Sequence, residues 1–135
     1  MAKRLLPEEF KDFINLLNSN NVKYLLIGGW AVGFYGYPRT TKDIDFLVSN
    51  DNNNLKKLEK VFREFNSPPV DIKILKESKS LIFLGTPPNR IEIINSADGI
   101  EINDCYTRKK IIKLDDITIK LISKKDLIKG TSKNY

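Results

Sequence analysis

The chain has 135 residues, 41% hydrophobic and 30% charged, with a formal net charge of +6, values that fit one globular domain with a modest core. It contains no histidine, which removes Ser-His-Asp and Cys-His catalysis, histidine general-acid chemistry and the usual zinc sites; chemistry here has to rest on carboxylates, lysines, arginines and bound metal, and an oxygen-only site favours Mg²⁺ or Mn²⁺. The single Cys105 allows no internal disulfide, no apolar run approaches the roughly 20 residues of a membrane span, and the N-terminus lacks the apolar stretch of a signal peptide, so a cytoplasmic location is expected.

Residues 7–20 predict a helix: Pro7 suits the first helical position, Glu8 and Glu9 favour the positive end of the dipole, and Phe10, Phe13, Ile14 and Leu17 fall on one face. Tyr24–Ile27 is long enough for a buried strand and too short for a buried helix. It turns on Gly28-Gly29 into Trp30–Tyr35, a short helix. Glycines at that point let a ligand approach the backbone, and a helix start offers free N–H groups to an anion; a tight turn without a ligand is the alternative.

The run Asp43-Ile44-Asp45-Phe46-Leu47-Val48 predicts the next strand. Alternation puts Asp43 and Asp45 on the same side, roughly 6.5–7 Å apart at about 3.3 Å per residue. Two carboxylates at that spacing reach one hard cation, or two cations close together; the alternative is a solvated strand face paired with Lys42 or Arg39. Unpaired buried charge is costly enough that a carboxylate pair on an apolar strand calls for a partner.

Further along, residues 50–54 form a polar turn able to cap a helix, which Leu55, Leu58, Phe62 and Phe65 mark as amphipathic until Ser67-Pro68-Pro69 stops it. Asp71–Leu75 predicts a short strand, Ser80–Leu84 another and Arg90–Ile94 a third. This last one carries Glu92 among apolar neighbours, either as a solvent-facing position or as a third acid beside Asp43 and Asp45. Ile102–Thr107 reads as a short helical piece. Lys110–Leu114 and Ile117–Ile122, flanking Asp115-Asp116, predict a hairpin. Ser123 with Asp126 three residues on predicts a capped final helix over Lys124–Lys129. The charge excess is local: residues 1–106 hold 14 basic and 14 acidic side chains, residues 107–135 hold 9 and 3. That segment suits RNA phosphates or an acidic protein, or is a solubilising surface.

Taken together, Gly28-Gly29 after a strand, the short helix and the Asp43-Ile44-Asp45 strand resemble the signature of the polymerase-beta-like nucleotidyltransferase superfamily. Arg39-Thr40-Thr41-Lys42-Asp43-Ile44-Asp45 is similar to the phrase of its minimal bacterial branch, which includes toxin–antitoxin proteins. The resemblance implies an α+β fold with a mixed β-sheet backed by helices and the site at the sheet's carboxylate-bearing edge. It covers residues 24–128; the family's longer C-terminal helix has no counterpart, so a single domain over residues 1–135 is expected, with a homodimer or a partner chain on the surface that helix would cover.

The activity implied is transfer of a nucleoside monophosphate from an NTP to a hydroxyl acceptor, on a protein, a tRNA or a small molecule, with Mg²⁺ or Mn²⁺ as cofactor. Asp43, Asp45 and Glu92 would be the metal-binding and catalytic acids, with Glu92 standing where the family carries Asp. Gly28, Gly29, Trp30, Arg39 and Thr41 would bind the nucleotide. Two alternatives stay open: a catalytically weak nucleotide-binding or antitoxin-like module, and a small basic RNA-binding protein.

Overall fold

The computed structural model describes residues 6–37, 43–85 and 88–132. Pro7, with ψ at 147°, caps α1 (Glu8–Ser19) rather than opening it. The expected apolar face is the one that packs: Phe10, Phe13, Ile14 and Leu17 are fully buried. Then come β1 (Tyr24–Ile27), α2 (Gly28–Phe34), β2 (Ile44–Val48), α3 (Asn52–Glu64), β3 (Leu81–Leu84), β4 (Ile91–Ile94), α4 (Ile102–Cys105), β5 (Lys110–Leu114), β6 (Ile117–Leu121) and α5 (Lys124–Ser132). The six strands form one mixed sheet in the order β3-β4-β2-β1-β6-β5. β1 pairs parallel with β6 and β2 parallel with β4; the other neighbours are antiparallel.

All four residues of β1 are buried, as an inner strand covered on both faces requires. An aromatic group joins α1, β1, β2 and α3: the Phe13 ring lies 5.7 Å from Phe46, 6.4 Å from Phe62 and 5.1 Å from Phe65, and Tyr24 lies 5.6 Å from Phe46. Removing one such ring costs about 3–5 kcal/mol, so this cluster fixes how the helices lie on the sheet. Two polar side chains tie strand ends. Tyr24 donates its hydroxyl proton to Asn18 Oδ1 at 2.8 Å and accepts the Lys120 N–H at 3.3 Å, where β1 and β6 share only the pair Leu26–Leu121. Buried Asn54 accepts the Lys23 N–H at 2.7 Å and donates to the carbonyls of Lys23 and Ser49. The Asp51 carboxylate caps the helix by accepting the Asn54 N–H at 2.8 Å.

One expected strand is absent. Residues Ile72–Lys76 form a 3-10 helix instead, because the Asp71 carboxylate accepts the Lys73 N–H at 3.0 Å and bends the chain into a turn. Its apolar residues then split, with Leu75 buried and Ile74 exposed. The hairpin forms as expected, and the final helix runs beyond Lys129 to Ser132. No helix among the described residues is long and apolar enough to cross a membrane.

Candidate active site

The antiparallel pairing of β1 with β2 and the parallel pairing of β2 with β4 bring the C-terminal end of β1 to the N-terminal ends of β2 and β4. Asp45 lies opposite Ile27 on one side and opposite Glu92 on the other, with neighbouring strands about 4.8 Å apart. The acids therefore stand on two inner strands of the sheet and not at its edge, which corrects the expectation from sequence. The reason is topological: β3 continues the sheet outward beyond β4.

Asp45 and Glu92 are half-buried neighbours. The Asp45 carboxyl is pushed up to about 7. Burial is the largest cause, followed by the charge of Glu92, a hydrogen bond between the two side chains and the charge of Asp43. Near neutrality the Asp45 carboxyl therefore keeps its proton part of the time, because burial and the like charges beside it disfavour ionisation.

Gly28 lies against this pair. Its φ is +75°, and a Cβ added to it would collide with Asp45 Oδ2 and stand 3.0 Å from Asp45 Cγ. The glycine is required twice, by backbone conformation and by the carboxylate beside it. The close approach expected of a ligand is thus first made by Asp45 itself. Gly29 follows in the first turn of α2. The Trp30 side chain is buried, its ring 6.3 Å from both Phe10 and Phe34, so it belongs to the core. Arg39 and Thr41 lie outside the described residues.

Asp43 comes just before β2. Arg90 Nη2 donates to Asp43 Oδ2 at 3.1 Å and Nε to Oδ1 at 3.5 Å, while the Arg90 carbonyl accepts the Ile44 N–H at 2.9 Å. The guanidinium also lies 4.6 Å from the centre of the Phe83 ring. Phe83 faces Glu92 across β3 and β4 and is 45% exposed. Arg90 and Phe83 had no place in the site as read from sequence. The alternation that put Asp43 beside Asp45 also puts Arg90 on the side of Glu92, and that signal was available.

The donors here are all carboxylate oxygens, and their mutual repulsion is what a divalent cation relieves, so their chemistry fits Mg²⁺ or Mn²⁺. Among the described residues no three acids or cysteines are gathered at one point as a ready cation cage, and Asp43 is turned to Arg90. A hollow of about 500 Å³ between α1 and α3, lined in part by Asp12, Leu16 and Phe65, contains none of these residues.

No protein-family model and no curated protein matches the chain. Solved structures do match in fold. The Thermotoga maritima protein TM1012, whose assignment as a nucleotidyltransferase is itself provisional, superposes with a TM-score of 0.66 at 16% identity, over 93% of this chain and 81% of that one. Lincosamide antibiotic adenylyltransferase LnuA, solved with lincomycin, gives 0.60 at 17% identity, over 93% and 85%. ANT(2'')-Ia in complex with adenylyl-2''-tobramycin gives 0.57 at 14%, over 88% and 70%. The chain has the nucleotidyltransferase fold.

Proposed function

We propose that this protein is a nucleotidyltransferase that moves an NMP from an NTP to a hydroxyl acceptor and releases pyrophosphate. The observation that carries this reading is the meeting of Asp45 and Glu92 beside Gly28, with Asp43 adjacent, on inner strands of a fold shared with nucleotidyltransferases.

The backbone at Gly28-Gly29 would receive the phosphates. The acceptor hydroxyl loses its proton to Glu92, helped by its pairing with Asp45. The acceptor oxygen then bonds to the α-phosphorus as the bond to the bridging oxygen breaks, and that electron pair leaves on pyrophosphate. Mg²⁺ or Mn²⁺ held by Asp43, Asp45 and Glu92 would supply charge neutralisation at the attacking and leaving oxygens.

Two of the structural neighbours were solved with antibiotics, one with lincomycin and one with adenylyl-2''-tobramycin. This supports a small hydroxyl compound as acceptor beside the protein and tRNA acceptors that the minimal branch suggests. Each α-labelled NTP, supplied with Mg²⁺ or Mn²⁺ to the protein in a cell lysate, names the class by where label appears. Label in no fraction, or equal label with Asp43→Asn/Asp45→Asn, overturns the reading.

One observation supports the RNA-binding alternative. The Tyr106 ring has three lysine ammonium groups around it, Lys109 at 4.0 Å, Lys23 at 5.2 Å and Lys120 at 5.4 Å. Their hydrogen-bond acceptors are neutral oxygens. RNA affinity that falls steeply with salt and ignores Asp43 and Asp45 would favour that reading.

A further inference from the structure

Arg90 takes no part in the reaction as described, yet its guanidinium meets Asp43 at 3.1 Å. We propose that Arg90 is a phosphate-binding residue held in reserve: its guanidinium pairs with Asp43, and with nucleotide and cation bound it passes to the phosphate oxygens while Asp43 turns to the cation. This rests on the nucleotidyltransferase reading.

The first support is chemical. A guanidinium is a planar fork that fits a carboxylate and a phosphate equally well, two donors to two oxygens. Both geometries use the same Nε and Nη2 groups that now meet Asp43. The second is exposure. The Arg90 and Asp43 side chains are 39% and 35% exposed, and exposed ion pairs hold weakly, so the exchange has little to break. A permanent strut is not needed there, because the main-chain bond from Ile44 N–H to the Arg90 carbonyl already joins the strands. The third is the floor. Phe83, on the outermost strand with its ring partly open, holds the guanidinium over its face. A cation–π contact is tolerant of sliding, so it keeps Arg90 at the site through the change of partner.

The exchange predicts opposite effects on two ligands. Mn²⁺ alone competes with Arg90 for Asp43, whereas a nucleotide gains Arg90. Free Mn²⁺ is counted by its electron paramagnetic resonance signal, and binding of each NTP, as its α,β-methylene analogue with Mn²⁺, by calorimetry. Arg90→Gln is expected to bind Mn²⁺ alone more tightly and the analogue more weakly, by roughly tenfold or more for a lost charge-assisted pair. Arg90→Lys keeps the charge and loses the fork; it is expected to stay weak for the analogue, which a purely long-range charge effect would not give. Should Arg90→Gln fail to fold, Arg90→Lys carries the test alone.

Wild type that binds both ligands, with variants that bind both as before or both more weakly, overturns the exchange and leaves the enzyme reading standing. So does an Arg90→Lys variant with wild-type affinity for the analogue. Wild type that binds neither ligand overturns both.

Discussion

Arg108, between α4 and β5, and Arg90, just before β4, are each set among carboxylates. Arg108 meets Asp104 and Asp126 through four hydrogen bonds of 2.9–3.0 Å, and both acids are held below the usual carboxylate range, with the hydrogen bond to Arg108 as the first cause. Asp126 also completes the cap of α5: Ser123 Oγ accepts the Asp126 N–H at 3.1 Å, and the Ser123 hydroxyl donates to Asp126 Oδ2 at 2.9 Å. Around Arg90 the proportion is reversed. Arg90 pairs with Asp43, while Asp45 beside Glu92 rises to about 7. A satisfied cluster stabilises the fold and needs nothing further. A crowded one destabilises it at neutral pH, and such crowding collects at sites that take a ligand.

Activity separates the clusters most. Glu92→Gln keeps shape and removes charge, and is expected to lower the transfer rate by roughly 10²–10⁴, the range for loss of a general base, with much less effect on nucleotide affinity. Asp104→Asn, in the satisfied cluster, is expected to leave the transfer rate near wild type. Steady-state transfer of labelled nucleotide measures both, and equal rates for wild type and Glu92→Gln remove Glu92 from the chemistry.

Stability separates them in sign. Asp126→Asn weakens both the cap and the arginine pair and is expected to lower the melting temperature. Asp45→Asn removes repulsion and is expected to raise it at pH 8, through about 1–2 kcal/mol of added stability after allowance for the exposure of the site. Thermal unfolding of the two variants beside wild type is the check; two changes of the same sign would erase the contrast.

A smaller effect is the dependence on pH. Because the folded Asp45 carboxyl lies near 7 against an ordinary 3.8, its contribution to stability is fully present below about 4 and is lost as pH rises through about 7. The acids around Arg108 act in the other direction, with stability present above their ordinary value and lost as pH falls. Melting curves of Asp45→Asn across pH 4–8 are expected to fall less than those of wild type.

Much of this was legible in the sequence, for local reasons. The face of α1, the hairpin and the Ser123–Asp126 cap follow from spacing within one element. The place of Glu92 beside Asp45 rests on the parallel pairing of β2 with β4, segments separated by more than 40 residues, so sequence could offer Glu92 as a third acid beside Asp43 and Asp45 but not the strand pairing that puts it there. The side of Arg90 was readable from alternation with Glu92, but its partner was not, since Asp43 is 47 positions away. Gly28 was legible as a position that must lack a side chain, while the group filling the space, Asp45, was not. The segment 72–76 misled because Ile72 and Ile74 alternate like a strand, whereas the side chain of Asp71 directs a turn.

The crowding of Asp43, Asp45 and Glu92 is most directly tested by the melting temperature with Mn²⁺ and NTP together, in wild type and in Asp43→Asn/Asp45→Asn. Ligand that binds the folded state raises the melting temperature by mass action. Wild type is expected to show a clear rise that needs both components, and the double variant to fold and show none. A rise of equal size in the double variant would contradict this account and place the nucleotide elsewhere on the protein.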